Sequence, residues 1–256
     1  MSNPPVITVA NISKAFWVHA RTDATLLSRM ADFFPSGAKR LHSRKIEAVH
    51  DVSLTVEKGK VLGVIGKNAA GKSTLLRLIA GILIPDEGEV SVDGKIVSLI
   101  SLSVGLRPTL SICDNIYLAC SLFGMPRSQI KSVYSEILDF AGITDATMYP
   151  YQLSTGMNQR LSFSIAVHTT PEILLLDEVF SAGDIGFQAK AQERMESMIK
   201  GETTVVMVSH SLERIRAMSD EVLWLDAGSV RMFGKTDDVV NAYMSYMQER
   251  PVGSIR

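Results

Sequence analysis

Eight residues narrow the folds open to this chain more than any other stretch. Gly66-Lys67-Asn68-Ala69-Ala70-Gly71-Lys72-Ser73 spells G-x-x-x-x-G-K-S. Before it, Val61-Leu62-Gly63-Val64-Ile65 is a short apolar run, the pattern of a buried strand. After it, a helical pattern runs from Lys72 to Ile82 and Pro85 closes it. Strand, glycine-rich turn and helix together can close backbone N–H groups around phosphate oxygens. The helix N-terminus adds partial positive charge at the same point. In that setting Lys72 would reach the β- and γ-phosphates and Ser73 would hold Mg2+. On the pattern alone, an ordinary glycine-rich turn without a ligand stays open.

A second piece narrows the choice. Ile173-Leu174-Leu175-Leu176 reads as a buried strand that ends in Asp177-Glu178. A buried sheet presents a carboxylate in this way at its C-terminal edge. Asp177 would hold Mg2+, and Glu178 would polarise an attacking water. Other strand patterns lie at Val6–Val9, Ser53–Val56, Thr204–Val208 and Val222–Leu225. Glu89–Leu99 alternates around Asp93-Gly94, a hairpin signal. From Ser111 to Val167 the period is helical, with Ile130, Val133, Ile137, Leu138 and Ala141 on one face. Asp237–Met247 reads as a last helix capped by Thr236. This alternation of strands and helices predicts an α/β core with a mainly parallel sheet, an antiparallel β part and an inserted helical block.

Charge and hydropathy exclude several classes. The 26 basic and 27 acidic residues leave a net charge of −1, which argues against a broadly basic nucleic-acid binder. A membrane-spanning helix needs roughly 20 apolar residues. The longest uncharged stretches, near Ile96–Leu106 and Asn115–Pro126, are shorter. The start, Met1-Ser2-Asn3-Pro4-Pro5, has no basic segment leading into an apolar core, so no secretory signal is expected. Cys113 and Cys120 match no zinc spacing and read as packed thiols in a reducing compartment.

The motifs together resemble the nucleotide-binding subunit of ATP-binding-cassette (ABC) transporters. Leu153-Ser154-Thr155-Gly156-Met157-Asn158-Gln159-Arg160 resembles the family signature and stands just before the carboxylate strand, where the signature belongs. Ser181-Ala182-Gly183-Asp184 resembles the D-loop, Val208-Ser209-His210 the switch histidine, and Asp220–Gly234 the closing hairpin. The resemblance covers roughly residues 6–16 and 46–235. It implies a P-loop NTPase cassette over 1–235, with a helical subdomain at about 107–168 that carries the signature. A C-terminal helix and tail would fill 236–256.

The resemblance also implies a site. Phe16, or failing that Trp17, would stack on adenine. Gly66, Lys67, Asn68, Ala69, Ala70, Gly71, Lys72, Ser73 and Thr74 would hold ATP, and Ser73 and Asp177 the Mg2+. Glu178 would activate water and His210 would contact the γ-phosphate. Ser154 and Gly156 would reach ATP held by the other subunit of a head-to-tail homodimer, with Asp184 at the same interface. Glu178→Gln is expected to trap ATP and abolish turnover.

The departures from the family pattern are informative. Ala69 replaces a glycine, which an added methyl allows only if its φ is negative. Thr155 and Met157 replace Gly and Gln of the signature. The glutamine expected after the Glu89–Leu99 pair is missing, and Ser101 takes its place. About thirty extra residues follow the adenine aromatic, giving an insertion at 18–47. Thr22 or Asp23 can cap a helix there, with Leu26, Leu27, Met30, Phe33 and Phe34 as an apolar stripe. Arg21, Arg29, Lys39, Arg40, Arg44 and Lys45 make its surroundings basic. That stripe would either meet a permease or anionic headgroups, or pack on its own domain.

The signature variant and the insertion are similar to those of the branch that exports O-antigens, capsules or teichoic acids. The resemblance therefore implies an ATPase at the cytoplasmic face of the plasma membrane, peripheral and bound to a separate polytopic permease. A lipid-linked glycan would be the cargo, and no nucleic acid the partner. A drug or lipid exporter, or a non-transport cassette protein, is the alternative. The second would normally carry two cassettes or a long coiled-coil insertion, and this chain has one phosphate loop.

Overall fold

The apolar run Val61–Ile65 folds as β3, and every residue of it is buried. A strand covered on both faces needs such an unbroken run. The structure, a computed structural model, describes residues 4–19, 43–99, 106–177 and 185–249. Around β3 lie β5 (Ile96–Leu99), β6 (Ile173–Asp177), β7 (Thr204–Val208), β8 (Glu221–Asp226) and β9 (Ser229–Lys235). Their order in one sheet is β5-β6-β7-β3-β8-β9. All pair in parallel except β9, which returns antiparallel on β8. The closing hairpin read from Asp220–Gly234 is thus present. A smaller antiparallel sheet has the order β2-β1-β4, from β1 (Pro5–His19), β2 (Ser43–Glu57) and β4 (Glu87–Val92).

Successive residues of a strand face opposite ways, so the large sheet feeds two cores. On one side Leu62, Val64, Leu175, Val206 and Leu223 meet α1 (Lys72–Ile79) and the small sheet. On the other, Val61, Ile65, Leu174, Leu176 and Trp224 pack with α5 (Ile185–Lys200), α6 (Leu212–Met218) and α7 (Thr236–Glu249). A third core joins α2 (Ile112–Leu122), α3 (Arg127–Ala141) and α4 (Thr155–His168). Ile130, Ile137 and Ala141 are buried in it, with Val133 and Leu138 packed at its margin. Cys120 lies there too, and burial pushes its thiol up to about 11.

Three local expectations change. Glu89–Leu99 is not a hairpin. Gly94, at φ +130, sends the chain from one sheet to the other, so β4 pairs with β1 and β5 with β6. Each strand gains a core by parting: Val90 and Val92 border one, and Val97 and Leu99 enter the other. Thr236 is the first residue of α7 rather than a cap, and its hydroxyl donates to the Ser219 carbonyl at 2.8 Å. The β1–β2 ribbon is far longer than Val6–Val9 and Ser53–Val56. It pairs from Pro5↔Glu57 to His19↔Ser43, so residues 18–19 and 43–47 are strand. Register shifts near Asn11 and Ser13, and an exposed outer half, break the alternation that marks a half-buried strand.

Among the described residues no helix is long and apolar enough to cross a membrane.

Candidate functional site

Adjacent parallel strands β6, β7 and β3 end along one edge of the large sheet. Asp177 is level with Val208, and Val208 is level with Val64. Two interstrand spacings of about 4.8 Å put Asp177 roughly 10 Å across the edge from the strand that leads into the loop. Ser209 and His210 leave β7 between them. The Ser209 hydroxyl accepts the Ser211 N–H at 3.1 Å, and Ser211 in turn caps α6. His210 is exposed at this edge.

The loop closes tightly at its two glycines. Gly66 has φ +148, and a Cβ there would sit 2.2 Å from the Leu225 carbonyl oxygen. Gly71 has φ +101, with the Ala48 carbonyl oxygen at 2.2 Å from the corresponding point. Neither position admits a side chain. Ala69 does carry one, and the sequence-based condition on it fails: its φ is +61, in the left-handed region. An L-residue there costs about 1–2 kcal/mol. The loop keeps this shape because other contacts hold it. Gly228 N–H donates to the Ala70 carbonyl at 3.1 Å, and Ala70 N–H to the Lys67 carbonyl at 3.2 Å. The Lys72 side chain is buried, and its ammonium donates to the carbonyls of Gly66 at 2.8 Å and Lys67 at 2.9 Å.

A cavity of about 400 Å3 opens over the loop. Asn68 through Thr74 line one end of it, and Phe16, Ile46, Glu47 and Ala48 of the ribbon line the other. Phe16 pairs with Ile46 across β1 and β2, so the two make one apolar end. Trp17 points to the opposite face of the strand, is 63% exposed, and takes no part in the lining. An apolar end with an aromatic ring, and a polar end of N–H groups and an ammonium, match the two halves of a nucleotide.

The structure brings Lys72, Ser73, Asp177 and His210 to one edge and Phe16 to the adjoining cavity. It leaves Ser154 and Gly156 elsewhere. Ser154 caps α4 in the helical subdomain, where its hydroxyl accepts the Met157 N–H at 3.2 Å. A Cβ on Gly156 would meet nothing nearer than Ser154 Oγ at 4.0 Å, so this helix start faces open space. Glu178, Asp184, Ser101 and the stripe from Leu26 to Phe34 lie outside the described residues. Ile46, Glu47, Ala48 and Gly228 also belong to the site, though no sequence motif marks them. They enter through strand register and a hairpin turn, which no local motif announces.

A hydroxyl on Ser73 and a carboxylate on Asp177 are hard oxygen donors and fit Mg2+. That ion needs only one or two protein carboxylates when phosphates supply other ligands. Among the described residues no group of three or more His, Cys, Asp or Glu side chains converges into a closed metal cage.

Fold and loop together define a P-loop nucleotide-binding cassette. Solved structures agree on the fold. An ATP-binding cassette captured as a dimer in a post-hydrolysis state with ADP and phosphate superposes with a TM-score of 0.72 at 22% identity, over 90% of this chain and 98% of that one. The ATP-binding subunit of an ABC transporter gives 0.74 at 20% identity, over 93% of each chain. The family profile described as ABC transporter matches residues 49–181. Relatives include the teichoic acids export ATP-binding protein TagH of Shouchella clausii, 37% identical over 96% of this chain and 66% of that protein. The O-antigen export system ATP-binding protein RfbB of Klebsiella pneumoniae is 33% identical over 95% of this chain and 99% of its own length. The chain belongs to the ABC transporter family, and it is an ATP-binding ATPase.

Proposed function

We propose that this chain is the ATP-hydrolysing subunit of an exporter of lipid-linked polysaccharide, an O-antigen, capsule or teichoic-acid polymer. The observation that carries this reading is similarity, over nearly all of this chain, to ATP-binding proteins named for O-antigen and teichoic-acid export. The chain works as a homodimer on a separate polytopic permease, at the cytoplasmic face of the plasma membrane.

The loop and cavity geometry supports the roles of Phe16, Lys72, Ser73 and Asp177, and the family resemblance supplies those of Glu178 and His210. Phe16 stacks on the base, with Ile46 beside it. Backbone N–H groups of the loop and the Lys72 ammonium hold the phosphates. To do so Lys72 exchanges its two loop carbonyls for phosphate oxygens. Ser73 and Asp177 hold Mg2+, which when bound offsets charge on the phosphates. Glu178 orients the attacking water and takes its proton, and His210 steadies the γ-phosphate. Ser154 and Gly156 of one protomer face the ATP of the partner, because their helix start is open and adds nothing to the lining over their own loop. Such a reaction depends on positioning and on charge that is already in place.

The test is purification of the chain from its native membrane. A polytopic protein is expected to accompany it, and lipid-linked glycan is expected to raise the ATPase rate of that complex. Stimulation by a drug or a phospholipid but not by any glycan would overturn the cargo assignment.

A further inference from the structure

Lys67, the second residue of the phosphate loop, is not left to solvent alone. Its ammonium lies 5.2 Å from the centroid of the Tyr246 ring, in the last turns of α7. Tyr246 is itself fixed to the β8–β9 hairpin. Its ring stands 5.1 Å from that of Trp224, and the Arg231 guanidinium lies 4.1 Å from its centroid. Its hydroxyl donates to Asp226 at 3.3 Å, and Asp226 also receives Arg231 at 3.0 Å. The ring is therefore a firm seat rather than a loose neighbour. A cation over such a face is attracted by the ring quadrupole.

The other end of Lys67 matters as much. Its carbonyl accepts from the Lys72 ammonium at 2.9 Å and from Ala70 N–H at 3.2 Å. One residue thus ties the C-terminal helix to the lysine that meets the phosphates. The loop includes a residue in the left-handed region at Ala69, so its shape has to be held from outside.

We propose that Tyr246 is a positioning residue for the phosphate loop. Its ring seats Lys67, keeps the loop in its ATP-binding shape, and makes α7 a working part of the nucleotide site. The inference rests on the loop being the ATP site.

The experiment measures MgATP affinity by calorimetry, and KM and kcat for ATP hydrolysis, on the full chain. The variants are Tyr246→Leu, Tyr246→Phe, Lys67→Met, and the double variant Tyr246→Leu with Lys67→Met. Each of Tyr246→Leu and Lys67→Met is expected to weaken binding and raise KM about two- to fivefold, with kcat unchanged. Tyr246→Phe keeps the ring and its contacts with Trp224 and Arg231 but loses the bond to Asp226, and is expected to weaken binding less than Tyr246→Leu. The double variant is expected to be no weaker than either single change. Additive losses, or tighter binding in Tyr246→Leu, would overturn the proposal. Lys67→Met touches only an exposed side chain, so if Tyr246→Leu misfolds, unchanged affinity in Lys67→Met overturns it alone. Lys72→Ala separates the two levels. Retained ATP binding there removes the loop as the ATP site. Lost binding with additive Tyr246 and Lys67 effects removes only the role of Tyr246.

Discussion

Ala69 shows what a single residue can reveal. It holds φ +61 where its family has glycine, so its methyl is carried at a conformational cost. Ala69→Gly is expected to stabilise the chain by about 1 kcal/mol in urea unfolding without weakening ATP binding. A loss of stability would mean that the position is not strained. His168 is a second case. It is buried, and its Nδ1–H donates to the Ser164 carbonyl at 2.7 Å. Burial, aided by Arg194, pushes its pKa below 6.5, against smaller upward effects of Ser164 and Glu136. The unfolded chain then takes up the proton more readily than the folded one. Stability from this site is present above about pH 6.5 and is lost as pH falls toward the folded pKa. The melting temperature is expected to drop from pH 7.5 to 5.5, and less so in His168→Gln. An equal drop in both would remove His168 as the cause. The loop, Asp177 and His210 were legible in the sequence because each sits in a short motif at a strand end. The sign of φ at Ala69 was not. It depends on a contact from Gly228 outside the loop and on the Lys72 ammonium folded back onto the loop's own carbonyls.

At the scale of elements, α4 joins two of the three cores. Leu161 and Ile165 enter the helical core, while Phe163, Ala166 and Val167 enter the core of the large sheet. From Leu161 onward this helix is therefore buried on nearly all sides, and the Ser164 hydroxyl ties it to the Ile137 carbonyl at 2.7 Å. Asn115 does comparable work at the entry to α2. It is 1% exposed. Its amide donates to the carbonyls of Arg107, Leu110 and Ser111, and its oxygen accepts the Arg107 N–H at 2.6 Å. Asn115→Leu strands those backbone groups and is expected to cost about 2 kcal/mol in urea unfolding. A change under a few tenths would show that water replaces the side chain. The helices and buried strands were readable because burial imposes a period of its own. The pairing of β4 and β5 was not, since Asp93-Gly94 gives the same turn signal whether the strands meet or part. The outer β1–β2 ribbon, with Phe16 against Ile46, escaped for a related reason. Its partners are separated by a long insertion, and their register follows from no local pattern.

At the scale of the molecule, one chain presents a complete loop and an unmatched signature. Ser154 and Gly156 stand on the helical subdomain and add nothing to the lining over their own loop. A second copy supplies the missing half in the proposed reading, and a permease supplies the membrane span. The near-zero net charge is then the sum of unlike parts, with basic residues gathered between Arg21 and Lys45. The central question is whether ATP use at this loop drives glycan to the cell surface. The direct measurement is surface polysaccharide in cells that lack this chain and are given back either the parent or Lys72→Ala. The parent is expected to restore the surface polymer, while Lys72→Ala leaves it lipid-linked inside the cell. Full surface polymer with Lys72→Ala would contradict ATP-driven export by this chain.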